Sequence, residues 1–141
     1  MTIYADTSFF VSLYVKDTHS ITADLILRGG ERPPITELHI AEWTHAIAQL
    51  VFRRQMTTAE AHRLHRDFDD DRAARIWQTI SVPENALEGC ADFGRRYGPK
   101  LGIRTLDSLH VACALELKTK QFWTFDDRQR KLAKAAGLDT T

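Results

Sequence analysis

Short, mostly apolar runs alternate along this chain with stretches whose apolar positions recur at helical spacing, and the changes mark its elements. Thr2 to Ala5 is a short, β-prone, mostly apolar run that leads straight into Asp6-Thr7-Ser8, residue types that cap helices. That pattern predicts a strand-to-helix junction. A helix is expected through Phe9, Phe10, Val11, Leu13 and Tyr14, and a second from His19 to Leu27 that stops at Gly29-Gly30. Pro33 to Thr36 reads as a second strand with its prolines at the start, where a missing N–H does least harm. From Glu37 to Arg54 the apolar positions Ile40, Trp43, Ile47, Leu50 and Val51 have the spacing of a helix with one buried face. Thr57 opens another helix, with Glu60 three residues on completing a capping box, and Asp69-Asp70-Asp71 is expected at its surface.

In the second half, Ile76 to Val82 reads as a third strand ended by Pro83. Glu84 to Tyr97 is expected to be helical and to close at Gly98-Pro99. Thr105 to Lys118 is expected to be helical again, with Leu106, Leu109, Cys113 and Leu117 on one stripe. Phe122 to Phe125 forms a further strand, Asp126 to Ala136 a last helix capped by Gly137, and Leu138 to Thr140 a short final strand. This alternation predicts the α/β class: a three-layer α/β/α arrangement around a central, mostly parallel sheet of four or five strands. In open sheets of that class the functional cleft lies beyond the carboxyl ends of the strands.

Composition narrows the picture. At 141 residues the chain suits one domain, residues 1–141, able to bury a core without disulfide staples. Cys90 and Cys113 have no CxxC or Cys/His spacing, so they read as core thiols, not as zinc ligands or a disulfide framework. There is no secretory pattern at the N-terminus and no apolar stretch near the roughly 20 residues a bilayer requires, so a cytoplasmic location without a membrane partner is expected. The formal net charge is +0, so any polyanion must be met by a local patch, not a global field.

Candidate chemistry lies in the acids. Asp6 follows the first strand and Asp126 follows Phe122-Trp123-Thr124-Phe125, so both stand at the edge where ligands bind. Asp107 occupies the first turn of its helix, and Glu42 lies about one turn inside the helix after the second strand. Individually, helix capping or dipole complementation accounts for such residues. Jointly, two carboxylates 4 Å apart repel by about 4 kcal/mol at an effective dielectric of 20, so a gathering of acids calls for a cation. Hard oxygen ligands suit Mg²⁺ or Mn²⁺.

The runs Ile3-Tyr4-Ala5-Asp6-Thr7-Ser8, Ala41-Glu42, Leu106-Asp107-Ser108-Leu109-His110-Val111-Ala112 and Thr124-Phe125-Asp126 resemble, in this order, the motifs of the PIN-domain family. Within it, the chain is similar to the VapC-type toxin ribonucleases of type II toxin-antitoxin systems. The resemblance spans essentially the whole chain. It implies an endoribonuclease that hydrolyses RNA phosphodiester bonds with Mg²⁺, for which Mn²⁺ can substitute. It also implies a homodimer and a small cognate antitoxin whose C-terminal segment blocks the acidic cleft. Asp6 and Asp107 resemble the chief metal ligands, and Glu42 and Asp126 the third and fourth acids, with Asp127 the neighbour that a one-residue shift would put in place of Asp126. Thr7, Ser8 and Thr124 resemble the small hydroxyl residues that orient a carboxylate or a water.

Other residues have structural readings that compete with functional ones. His110, three positions after Asp107, is either a proton shuttle or a packed histidine, and His39 and His45 read as structural. Arg104 and Lys100 could greet a phosphate, whereas Arg53-Arg54 and the run Arg128, Arg130, Lys131 and Lys134 read as solvated faces. Trp43, Trp77 and Trp123 fall on faces expected to be buried. A haloacid-dehalogenase-like phosphatase would need a second Asp where this chain has Ser8, and a receiver-type domain would need an acidic pair after the first strand. The remaining rivals are a housekeeping PIN ribonuclease that processes rRNA or tRNA and a non-catalytic PIN-like scaffold that binds RNA or protein.

Overall fold

The computed structural model describes residues 1–141. In chain order its elements are β1 (Ile3–Ala5), α1 (Thr7–Tyr14), α2 (Ser20–Arg28), α3 (Glu37–Phe52), α4 (Thr58–Ala73), α5 (Ala86–Arg96), α6 (Gly98–Leu101), α7 (Thr105–Glu116), β2 (Gln121–Trp123), α8 (Asp127–Ala135) and β3 (Asp139–Thr140). They fall into two compact units: Met1–Asp6 with Val82–Thr141, and Thr7–Ser81.

The first unit is built on a parallel sheet of three strands in the order β1-β2-β3. Tyr4 lies opposite Phe122, and Phe122 opposite Thr140. All three residues of β1 are buried, and because successive strand side chains point to opposite faces, both faces of β1 are shielded from water. Tyr4 stacks on Phe122 with ring centroids 5.7 Å apart. Helices α5 and α7 pack closely: a Cβ on Gly89 would stand 3.4 Å from the Ala112 Cβ.

Three expectations are corrected in this unit. The strand expected over Phe122 to Phe125 is β2, which starts at Gln121 and stops at Trp123, so Asp126 caps α8 and does not end a strand. Every residue of α7 from Ser108 to Ala114 is buried while Leu106 is 47% exposed, so α7 is sequestered nearly all round and has no single apolar stripe. The chain also does not stop being helical at Gly98-Pro99. Tyr97 ends α5, and Pro99 falls in the first turn of α6, where a missing N–H breaks no helical bond. Gly102 then closes α6 in the left-handed region, at φ 61°.

The second unit is helical around an aromatic core. Trp43 of α3 stacks on Phe68 of α4 with centroids 4.2 Å apart, Tyr14 meets both edge-on, and Phe10 sits edge-on to Trp77. The Tyr14 hydroxyl donates to Asp71 at 2.5 Å and accepts from the Trp77 indole at 2.7 Å. Burial, reinforced by Asp71, pushes the Tyr14 phenol well above its ordinary range. Thr57 and Glu60 form the anticipated capping box at the start of α4.

The expected sheet of four or five strands is not formed. Strands two and three shrink to one parallel bridge, Ile35 to Thr79, held by Ile35 N–H to Gln78 at 2.8 Å and Ile80 N–H to Ile35 at 2.8 Å. The cause is local. Pro33 and Pro34 have no N–H to offer before Ile35, and Pro83 has none beyond the far end of the partner. Ile76 is taken up by the end of α4, its N–H bonding the Asp71 carbonyl after Arg75 turns left-handed at φ 57°.

Candidate functional site

Asp6 is where the first strand runs out. Its backbone N–H still bonds the Trp123 carbonyl at 3.0 Å, extending the β1–β2 ladder by one step. This pins its side chain at the carboxyl end of the sheet, only 5% exposed. One step beyond β2, buried Thr124 donates its hydroxyl to Asp6 Oδ2 at 3.0 Å. Two neighbouring parallel strands therefore deliver a carboxylate and a hydroxyl to the same edge, as the strand-end rule anticipates.

Asp126 follows at the start of α8. Its side chain caps the helix by accepting from Gln129 N–H at 2.8 Å, and its own N–H bonds the Thr124 hydroxyl oxygen at 3.1 Å. Asp127 is exposed and ion-paired with Arg130, which also bonds the carbonyls of Thr124 at 2.9 Å and Thr141 at 2.7 Å. Asp107, in the first turn of α7, keeps 31% of its side chain exposed and has Arg104 Nε 3.9 Å from Oδ2. That guanidinium is 85% exposed, so the contact contributes little to stability.

Glu42 belongs to the other unit. Half-buried on the second turn of α3, it accepts a hydrogen bond from Thr7 Oγ1 at 2.8 Å. Thr7, Ser8, Ser12, Asp17, His19 and Glu42 line an open cavity of about 310 Å³ in that unit. Asp17 is fixed there by Ser12 Oγ at 2.9 Å and by the His19 N–H at 2.8 Å.

The structure thus links Asp6, Thr124 and Asp126 directly and sets Glu42 against Thr7. It does not draw three or more His, Cys, Asp or Glu side chains into a ready-made ligand set. The donor chemistry nonetheless fits a hard divalent cation, since every candidate offers carboxylate oxygen. Mg²⁺ in particular keeps several waters and takes only one or two protein carboxylates, completing its shell with phosphate oxygens.

His110 is 2% exposed, with Nδ1 2.7 Å from the Tyr4 hydroxyl, which makes it a packed histidine. His39 is fully buried and accepts the Thr36 N–H at 3.0 Å. Trp43, Trp77 and Trp123 are core residues, and both cysteines are free and buried. Burial pushes the Cys113 thiol up to about 11 and raises Cys90 as well.

One buried polar residue was missed from the sequence. Gln129 is 1% exposed: its Oε1 lies 2.6 Å from the Thr124 hydroxyl, and its Nε2 donates to the Asp107 carbonyl at 3.3 Å. A signal for it existed. Gln129 precedes the buried Leu132 and Ala133 by three and four residues, so it shares their face of α8 in an otherwise charged run.

No curated protein sequence matches the chain. Among solved structures, the chain is similar to the sarcin-ricin loop cleaving toxin VapC20 of Mycobacterium tuberculosis, with TM-score 0.68 and 18% identity over 97% of this chain and 96% of that one. It is also similar to FitAcB from Neisseria gonorrhoeae, with TM-score 0.69 and 15% identity over 99% of this chain and 96% of that one. At such identities these likenesses concern the fold. The sequence model of the PIN domain matches residues 3–135. With that match across nearly its whole length, and an α/β fold to go with it, the chain belongs to the PIN domain family.

Proposed function

We propose that this PIN-domain chain is a divalent-metal-dependent endoribonuclease that acts as the toxin of a toxin-antitoxin pair. Asp6, Glu42, Asp107 and Asp126 are its acidic residues, and Mg²⁺ or Mn²⁺ is its cofactor. The observation that carries this reading is the buried Asp6 carboxylate, hydrogen-bonded to Thr124 at the carboxyl ends of two adjacent parallel strands, in a chain of this family.

Carboxylates of this set would hold the divalent ion, which would supply Lewis acidity and an activated water for phosphodiester hydrolysis. The chain's own residues do the holding. Burial of Asp6 excludes competing water, and the Thr124 hydroxyl fixes the rotation of its carboxylate. Thr7 does the same for one oxygen of Glu42. Asp107 stays partly open to solvent, as a group that must meet a large substrate requires. The partners that follow from this reading are RNA, a small antitoxin and a second copy of the chain, in the cytoplasm.

VapC20 is described as cleaving the sarcin-ricin loop, so a structured RNA hairpin is the first substrate to try. Purified protein should cut it with Mg²⁺ or Mn²⁺ and stop when EDTA is added. Cleavage that persists in EDTA would contradict the metal requirement. Induction of the chain alone should arrest growth, whereas its Asp6→Asn variant should not. Equal growth of both strains would replace the toxin reading with a housekeeping nuclease or a scaffold.

A further inference from the structure

We propose that Gln129 is a positioning residue of this site: a single buried amide that sets the spacing of Asp6, Asp107 and Asp126. The inference rests on the metal-nuclease reading above and adds a residue that the acidic motifs do not contain.

Hydrogen counting fixes how Gln129 sits. The Asp107 backbone carbonyl can only accept, so the amide side facing it at 3.3 Å must be the NH₂ group. This turns Oε1 toward Thr124, 2.6 Å away, where it in turn can only accept. The Thr124 oxygen already accepts the Asp126 N–H at 3.1 Å, and its one hydrogen faces two acceptors, Gln129 Oε1 at 2.6 Å and Asp6 Oδ2 at 3.0 Å. Gln129 and Asp6 therefore share one hydroxyl hydrogen, and the shorter contact is to Gln129.

The same residue is held from behind. Its backbone N–H is capped by Asp126 Oδ1 at 2.8 Å, which fixes the main chain from which the amide reaches Thr124 and Asp107. Gln129 thus touches the immediate support of three acids that lie as far apart in sequence as Asp6 and Asp126. At 1% exposure no water replaces these bonds if the amide is lost.

The test replaces the amide by an apolar group of similar length, Gln129→Met, and measures Mn²⁺ binding by electron paramagnetic resonance alongside RNA cleavage. Leu132→Ala, a buried apolar change on the same helix that removes no hydrogen-bonding group, controls for lost stability. Gln129→Met should fold, bind Mn²⁺ roughly ten- to a hundredfold more weakly, and lose kcat with little change in KM for RNA, as loss of an outer partner of a metal ligand does. Leu132→Ala should melt lower yet bind Mn²⁺ like the wild type. If wild type binds Mn²⁺ and Asp6→Asn abolishes it while Gln129→Met binds normally, the positioning role is overturned and the nuclease reading stands. Equal weakening in Leu132→Ala would overturn it too, by reducing the effect to lost stability. Failure of the wild type to bind Mn²⁺ would overturn both.

Discussion

Side chains at this chain's sheet edge are held by hydrogen bonds from small polar neighbours, and that is visible at Asp6 and Thr124. Elsewhere burial dominates, as at Cys113. Burial raises its pKa from 9.0 to about 11, so between those values the unfolded chain releases a proton that the folded chain keeps. Stability should therefore be unaffected by this thiol below pH 9 and fall as pH rises from 9 toward 11. Urea titrations across that range should show a smaller alkaline loss in Cys113→Ala than in wild type, and equal losses would contradict this assignment. At the same scale, the place of Asp6 was legible in the sequence because a strand's end can be read from the apolar run before it, whereas Asp126 lies beyond the end of β2 at Trp123 and is placed as the cap of α8. Gln129 was overlooked because it stands among Asp127, Arg128, Arg130 and Lys131, and a charged run masks a buried amide.

At the scale of elements, local signals with their own chemistry survived folding. The capping box at Thr57 and Glu60 is one, and Thr57→Ala should cost about 1 kcal/mol, read as a lower urea midpoint at unchanged slope. The pairing of α3 with α4 is another, since Trp43 sits fully buried against Phe68. Trp43→Ala should cost about 3–5 kcal/mol, enough to unfold a marginal chain at 37 °C, and a loss under 1 kcal/mol would mean the stack is dispensable. What the pattern could not give was pairing. Ile76 to Val82 has the composition of a strand, but strand formation depends on donors supplied by another segment, and Pro33 and Pro34 withhold them. Helix α6 was missed for the related reason that Pro99 can end one helix or begin the next. Leu106 shows the limit of a stripe: with seven consecutive buried residues after it, periodicity no longer says which side faces water.

For the molecule as a whole, a formal charge of zero leaves recognition of a polyanion to local groups, and no helix is long and apolar enough to cross a membrane. The PIN match runs through both compact units; Asp6, Asp107 and Asp126 lie in one and Glu42 in the other. The α/β class and the parallel direction of the sheet were readable from alternation; the number of strands was not. In the proposed function, Asp6 and Asp107 are the groups that make RNA hydrolysis possible. The most direct measurement is cleavage of a labelled RNA hairpin at fixed Mg²⁺ by wild type, Asp6→Asn and Asp107→Asn, each shown to be folded by circular dichroism. Both variants should lose more than the roughly hundredfold that removing an outer partner of a metal ligand can cost. Full cleavage by either folded variant would contradict the account.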